Sequence, residues 1–244
     1  MKVAIITGGS SGLGQALVKQ YQQAGWQVIE FSRHGDSCSH ITLDLARPDQ
    51  VTAQWQQAIA RIDVSAVQEL LFVNNAGTLE PIERADHLTD ADIERNLTIN
   101  LVSPLRLIGH LLRDFRHTPC RKTLINVSSG AANKGYPGWS LYCAAKAGLE
   151  NFIRTLYLEE PLAAAPFRVC NLDPYVMDTA MQAGIRAATP EQFPQRERFI
   201  GYHASGKLLS ADLVAAALRQ LAARPVLDQE RYGVIDLLAE AGAR

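Results

Sequence analysis

No two of the four cysteines (Cys38, Cys120, Cys143 and Cys170) form a C-x-x-C pair, and no histidine stands beside them at metal-ligand spacing. This leaves no sequence signature for a metal and no disulfide framework, so reduced thiols are the expectation. An excess of charge of one sign is missing too. The 24 basic and 25 acidic residues give a net charge of -1, which argues against nucleic acid or an anionic membrane as the main partner. A small anion held in a local pocket stays compatible with that balance. No apolar run approaches the ~20 residues a membrane span requires. The opening stretch "MKVAIITGGSSG" breaks at Gly8 and lacks a cleavage-site pattern, so it does not read as a secretory leader. A cytoplasmic protein is the expectation. Repeats, low-complexity tracts and obvious linkers are also lacking. With 244 residues, 47% hydrophobic and 20% charged, the chain reads as one globular domain.

What the sequence does contain is an alternation. Apolar runs at 2–7, 26–32, 40–45, 69–77, 122–129, 167–174 and 232–238 read as strands. Between them, 14–25, 48–62, 89–116, 140–163 and 210–223 carry helical spacing, with a C-capping glycine at Gly25 and Pro48 at a helix start. Strands that do not alternate apolar with polar are buried on both faces, which implies a parallel sheet. Right-handed crossovers then give an α/β, doubly wound, Rossmann-type sheet of about seven strands with helices on both faces. In such a sheet the polar turns "TGGSSG", "NNAG" and "NVSSG", each following a strand, converge on one edge.

The turn "TGGSSGLG" spans Thr7, Gly8, Ser10, Ser11, Gly12, Leu13 and Gly14 between the first strand and the first helix. Glycines there permit a tight turn and close approach to a pyrophosphate, and the helix N-terminus offers free N–H groups to an anion. The alternative is a merely flexible turn. No Lys-Ser/Thr follows the last glycine, so it is not a Walker loop. The second strand ends in "EFSRHG", with Ser32 and Arg33 where a dinucleotide with a free ribose 2′-hydroxyl usually meets an acid. A guanidinium suits a 2′-phosphate, which favours NADP over NAD, unless Arg33 is only a solvated loop residue. Glu30, the only nearby acid, projects to the same strand face as Ser32 but deeper.

Tyr142 and Lys146 in "SLYCAAK" stand at i and i+4, on one helix face. Taken with Thr7–Gly14, the "NNAG" stretch carrying Asn75, Ala76 and Gly77, Asn100 in "TINLVSP", and Ser129 thirteen residues before Tyr142, this ordered set resembles the short-chain dehydrogenase/reductase family. The segments "GWSLYCAAKAG", "MDTAMQ" and "ASGKLLS" are similar to sepiapterin reductases and the bacterial benzil reductases related to them, NADPH-dependent enzymes acting on dicarbonyl compounds.

The resemblance implies roles. Tyr142 gives a proton to a carbonyl oxygen and Ser129, rather than Ser128, hydrogen-bonds that oxygen. Lys146, with the oxidised nicotinamide ring, lowers the Tyr142 pKa from its usual ~10, and Lys146 also holds the nicotinamide ribose. Asn100 anchors a water relay. Asp44 and Leu45 meet the adenine, while Pro174, Val176 and Thr179 serve the nicotinamide end. Trp139, Tyr175, Met181 and Gln182 are the candidate substrate contacts, each with simple packing as its alternative. Tyr175 stands where the family has glycine, which puts the local backbone path in question. Residues 178–205, polar and with two prolines, read as a substrate lid. Asp236 lies near the place of a pterin-anchoring aspartate but does not align with it, so an α-diketone of the benzil type is preferred to a pterin. The resemblance also implies a homodimer or homotetramer, and no metal. Two other readings are an NAD(P)-dependent alcohol dehydrogenase working oxidatively and a dinucleotide-sensing protein without turnover.

Overall fold

The computed structural model describes residues 1–242. Its elements are, in chain order, β1 (Lys2–Thr7), α1 (Gly12–Gln23), β2 (Gln27–Ser32), β3 (His40–Thr42), α2 (Val51–Ile59), β4 (Glu69–Asn74), α3 (Asp90–Leu97) and α4 (Ser103–Phe115). They continue with β5 (Arg121–Val127), α5 (Ser140–Glu159), β6 (Phe167–Asp173), α6 (Ala180–Ala187), α7 (Arg196–Ala204), α8 (Ala211–Ala223), β7 (Arg231–Gly233) and α9 (Val234–Gly242).

The seven strands form one sheet in the order β3-β2-β1-β4-β5-β6-β7, and every neighbouring pair is parallel. Both faces are covered. Trp55 of α2, Leu107 and Leu111 of α4, and Leu149 and Ile153 of α5 pack on one side. Leu13 and Leu17 of α1, with Val214 and Leu218 of α8, pack on the other. The apolar runs are unbroken because neither strand face meets water. The sheet order reverses between β1 and β4, the topological switch point at which such folds bind ligands beyond the strands' carboxyl ends.

One expectation changes. The segment expected as a last strand over 232–238 is a strand only for Arg231–Gly233 and then turns into α9. Val234 and Leu237 are buried at a spacing of three, against α8. A short apolar run does not distinguish that spacing from a buried strand. The stretch 89–116 is helical as expected, with a π-helical turn at Thr98–Val102 inserted between α3 and α4. The extra residue in that turn places Asn100 inward, 2% exposed.

A row of buried amides ties the strand ends together. Asn74 Nδ2 donates to Asn126 Oδ1 at 2.9 Å. Asn126 Nδ2 donates to Asn171 Oδ1 at 2.8 Å, and Asn171 Nδ2 donates to the Glu150 carbonyl of α5 at 3.2 Å. All three asparagines are at most 1% exposed. A polar group removed from water in this way is costly unless paired, so the row fixes the register of β4, β5 and β6 and the height of α5 above them. Asn126→Ala should therefore cost about 3 kcal/mol, since it strands a donor on Asn74 and an acceptor on Asn171. Urea unfolding followed by circular dichroism measures this, and a loss below about 1 kcal/mol would contradict the role of the row.

Candidate active site

A cavity of about 590 Å³ opens along the carboxyl edge of the sheet, from β2 across β1, β4 and β5 to β6. The glycine-rich turn forms one end. Gly8 has φ +75°, and a side chain there would press on Asn75 Nδ2 at 2.9 Å. A Cβ on Gly14 would sit 2.0 Å from the Gly8 carbonyl. Ser11 precedes α1 in an extended conformation with no side-chain cap, so the first N–H groups of α1 lack a capping partner. Gly8, Ser10, Ser11, Gly12 and Leu13 line the cavity; Thr7 and Gly14 do not. Thr7 is fully buried, and its hydroxyl oxygen accepts from Asn75 N at 2.9 Å and Ala76 N at 3.0 Å. Thr7 and Gly14 thus shape the turn from behind the lining. Asn75, Ala76 and Gly77 form the floor, Asp44 and Leu45 the side wall beside β3. The turn, its uncapped helix start and its glycines fit a dinucleotide pyrophosphate.

At the β2 end, Ser32 and Arg33 line the cavity. Arg33 is exposed and makes no ion pair among the described residues. The Ser32 hydroxyl, 7% exposed, faces the protein, 2.9 Å from the His34 carbonyl and 3.3 Å from Glu30 Oε1.

Tyr142, Lys146 and Glu150 follow one another at four-residue intervals on α5 and are all buried. The Lys146 ammonium lies 5.7 Å from the centre of the Tyr142 ring and donates to the Val127 carbonyl at 2.8 Å. Burial pulls the lysine down to about 8, with the Glu150 carboxylate opposing the fall. Burial pushes the Tyr142 phenol up to about 12, while the Ser129 hydroxyl beside it pulls the other way. In the protein alone, desolvation is the largest influence on the phenol. Ser129 and Tyr142 both line the cavity. Ser128 lines the cavity as well, but its hydroxyl donates to Glu150, and that carboxylate also takes Arg231 of β7. Arg231 reaches on to Asp173 at 2.7 Å. The Ser128 hydroxyl is thus engaged with Glu150, whereas the Ser129 hydroxyl lies beside the Tyr142 phenol.

Asn100 does not line the cavity. Its Nδ2 donates to the Thr78 carbonyl at 2.9 Å and to Asn96 Oδ1 at 3.1 Å, and its Oδ1 accepts from Thr78 N at 2.9 Å. Both amide hydrogens are engaged, so a water held here must use the remaining Oδ1 lone pair or the backbone carbonyl. Asn100 Oδ1 and Lys146 Nζ lie 2.9 Å and 4.0 Å from where a Cβ on Gly77 would stand, so this glycine is the gap between them.

Beyond β6, Tyr175 takes φ +61° and its N–H donates to Asp173 Oδ1 at 3.1 Å. The chain therefore follows the left-handed path that favours glycine, at the cost of strain in a tyrosine. Pro174 and Val176 line the cavity, but the Val176 carbonyl is occupied by Leu209 N–H at 3.0 Å, leaving its own N–H for a ligand. Thr179 caps α6 by accepting from Gln182 N at 3.4 Å, and its methyl stands over Gly12 across the cavity. Trp139, Tyr175, Met181 and Gln182 line the far end. Gln182 is 3% exposed and tied through Nε2 to the Phe199 carbonyl at 3.1 Å.

Sequence reasoning missed most of the aromatic wall. Phe193 stacks on Trp139 with centroids 4.6 Å apart, and Phe199 meets it edge-on at 5.4 Å. Phe199, Tyr202 and Tyr136 also line the cavity. Phe199 and Tyr202 stand at i and i+3 on α7, a spacing already present in "RFIGYHA" that its polar neighbours mask. Asp236, in the first turn of α9, is absent from the lining.

A family model described as short chain dehydrogenase matches residues 2–190. The chain belongs to the short-chain dehydrogenase family. Its relatives include a benzil reductase ((S)-benzoin forming) of Bacillus subtilis, 34% identical and covering 98% of this chain and 100% of that one. A sepiapterin reductase of Rattus norvegicus is 30% identical, covering 91% of each. Among solved structures, the KRED1-Pglu enzyme superposes with a TM-score of 0.81 at 30% identity, over 94% of this chain and 98% of that one. Members of this family are oxidoreductases that use a nicotinamide dinucleotide at CH–OH or C=O groups.

Lys146 is cationic below about 8 and neutral above it. The kcat/KM for coenzyme, which reports the free enzyme, should therefore fall as pH rises through about 8, well below the ~10.4 of an ordinary lysine. Glu150→Gln removes the charge that holds the proton, so the alkaline limb should move to lower pH. A limb that stays in place in Glu150→Gln would show that Lys146 does not govern it.

Proposed function

We propose that the protein is an NADPH-dependent carbonyl reductase of α-dicarbonyl compounds, a cytoplasmic homo-oligomer with residues 178–205 as its substrate lid. The observation that carries this reading is the position of Tyr142. Its buried ring lies 5.7 Å from the Lys146 ammonium and its phenol beside the Ser129 hydroxyl, in a cavity also lined by Trp139 and Phe199, with Phe193 stacked behind Trp139. A flat, aryl-substituted carbonyl compound fits such a wall, since aromatic faces and edges pair favourably.

A bound nicotinamide dinucleotide supplies the hydride. Tyr142 donates its proton to the carbonyl oxygen, and Ser129 hydrogen-bonds the same oxygen as negative charge develops on it. Lys146, charged below about 8, stabilises the phenolate left behind and orients the ribose. Asn100 holds the Thr78 backbone and leads toward solvent for reprotonation. Arg33, which makes no ion pair among the described residues, takes the 2′-phosphate. The benzil reductase relative supports the diketone class, and the absence of Asp236 from the cavity wall speaks against pterin anchoring there.

The test is NADPH consumption with benzil, 1-phenyl-1,2-propanedione and sepiapterin, each repeated with NADH. The expected result is turnover of the aryl diketones with NADPH, at least about tenfold better in kcat/KM than with NADH. Turnover restricted to sepiapterin would overturn the substrate class, and a preference for NADH would overturn the assignment of Arg33.

A further inference from the structure

Beneath the ribose end of the cavity lies a buried acid that the reaction does not use. Glu30 of β2 is 4% exposed, and its Oε2 has no partner among the described residues. Its Oε1 accepts from His40 Nδ1 at 2.5 Å, the neighbouring residue in register on β3. Ser32, one of the cavity-lining residues, stands 3.3 Å from the same oxygen and 3.4 Å from the same imidazole nitrogen. The pair is clamped by glycines: a Cβ on Gly9 would lie 2.6 Å from Glu30 Oε2, and one on Gly35 would lie 2.6 Å from His40 Nδ1. The carboxylate therefore sits directly under the glycine-rich turn, in the space a side chain at residue 9 would fill.

An acid at the end of this strand ordinarily accepts from a ribose 2′-hydroxyl, and its charge opposes a 2′-phosphate. Here the acid is present two residues early, and the oxygen shared with Ser32, Oε1, is occupied by the histidine, while Oε2 faces the turn at Gly9. The Nδ1 atom must carry the proton, since the carboxylate can only accept. His40 Nε2 lies 3.0 Å from the Thr42 hydroxyl. That hydroxyl either donates or accepts, so Nε2 is satisfied while Nδ1 donates to the carboxylate. His40 thus holds Glu30 Oε1 through a donated hydrogen bond, which stabilises the carboxylate in place.

We propose that His40 is a specificity-determining residue for the coenzyme: its hydrogen bond holds and screens the Glu30 carboxylate under the turn, so that the ribose end accepts a 2′-phosphate. The inference rests on the reading that the chain takes NADPH, and it makes His40 a positioning residue acting through Glu30.

The experiment is equilibrium fluorescence titration of NADPH and NADH, separately, into the wild type, His40→Ala, Glu30→Gln and the double variant. His40→Ala leaves one uncompensated carboxylate near the phosphate site, so NADPH should bind about tenfold more weakly while NADH changes by less than about twofold. Adding Glu30→Gln to His40→Ala removes the charge and should restore the NADPH/NADH affinity ratio to within about twofold of wild type. A merely structural role for the pair would weaken both coenzymes alike and would not be rescued by the second substitution; either result overturns the inference. Should His40→Ala fail to fold, Glu30→Gln alone decides: NADPH binding unchanged or tighter agrees, and an NADPH-selective loss contradicts. The wild-type ratio separately reports the underlying reading. A wild type that binds NADH better refutes NADPH preference, whereas the change of that ratio in His40→Ala still judges the coupling through Glu30.

Discussion

The hydrogen-bonded row from Asn74 through Asn126 and Asn171 to the Glu150 carbonyl is the interaction on which the site's geometry depends. A parallel sheet covered on both faces has nowhere to show polar groups except at the ends of its strands. This chain places three asparagines just inside those ends, where an unmatched amide is costly. Their pairing leaves a single arrangement of β4, β5, β6 and α5. The "NNAG" turn, Ser129, Tyr142 and Lys146 all leave from those four elements, so their mutual positions follow from the row. Distance from water does the rest, because the same burial sets the protonation of the lysine and the phenol.

A second layer of charge stands behind the first at both ends of the cavity. At the reacting end, Glu150 joins Ser128, Arg231 and, through the arginine, Asp173. Asp173 in turn anchors the left-handed Tyr175. At the ribose end, Glu30 and His40 form the corresponding pair under Gly9. In each case a buried carboxylate is held by a basic side chain from the neighbouring outer strand, β7 or β3. Such arrangements are conditional: complete, they fix the loops above them, and with one partner removed they leave a buried charge.

The sheet was legible in the sequence because its strands are uninterrupted apolar runs and its turns carry glycine or asparagine at each strand end. The site was legible because Tyr142 and Lys146 share a helix face and because Ser129 follows β5. Three things were hidden, each for a physical reason. The strand-to-helix change at Val234 lies in a short apolar run whose two periodicities coincide. The π turn at Asn100 changes no local composition. The pairing of Glu30 with His40 comes from the register of β2 on β3, and that of Glu150 with Arg231 from the packing of α5 beside β7, neither of which local spacing encodes. The aromatic wall was partly visible in Trp139, but Phe193 and Phe199 sit in a segment whose polar neighbours masked them.

The most direct test of the account is Tyr142→Phe, with coenzyme binding and diketone reduction measured on the same preparation. Tyr142 is placed here as the proton donor at a site that otherwise holds its shape through the amide row. NADPH affinity should therefore stay within about threefold of wild type while kcat falls by about a thousandfold or more. A variant that keeps a tenth or more of the wild-type rate would contradict that placement.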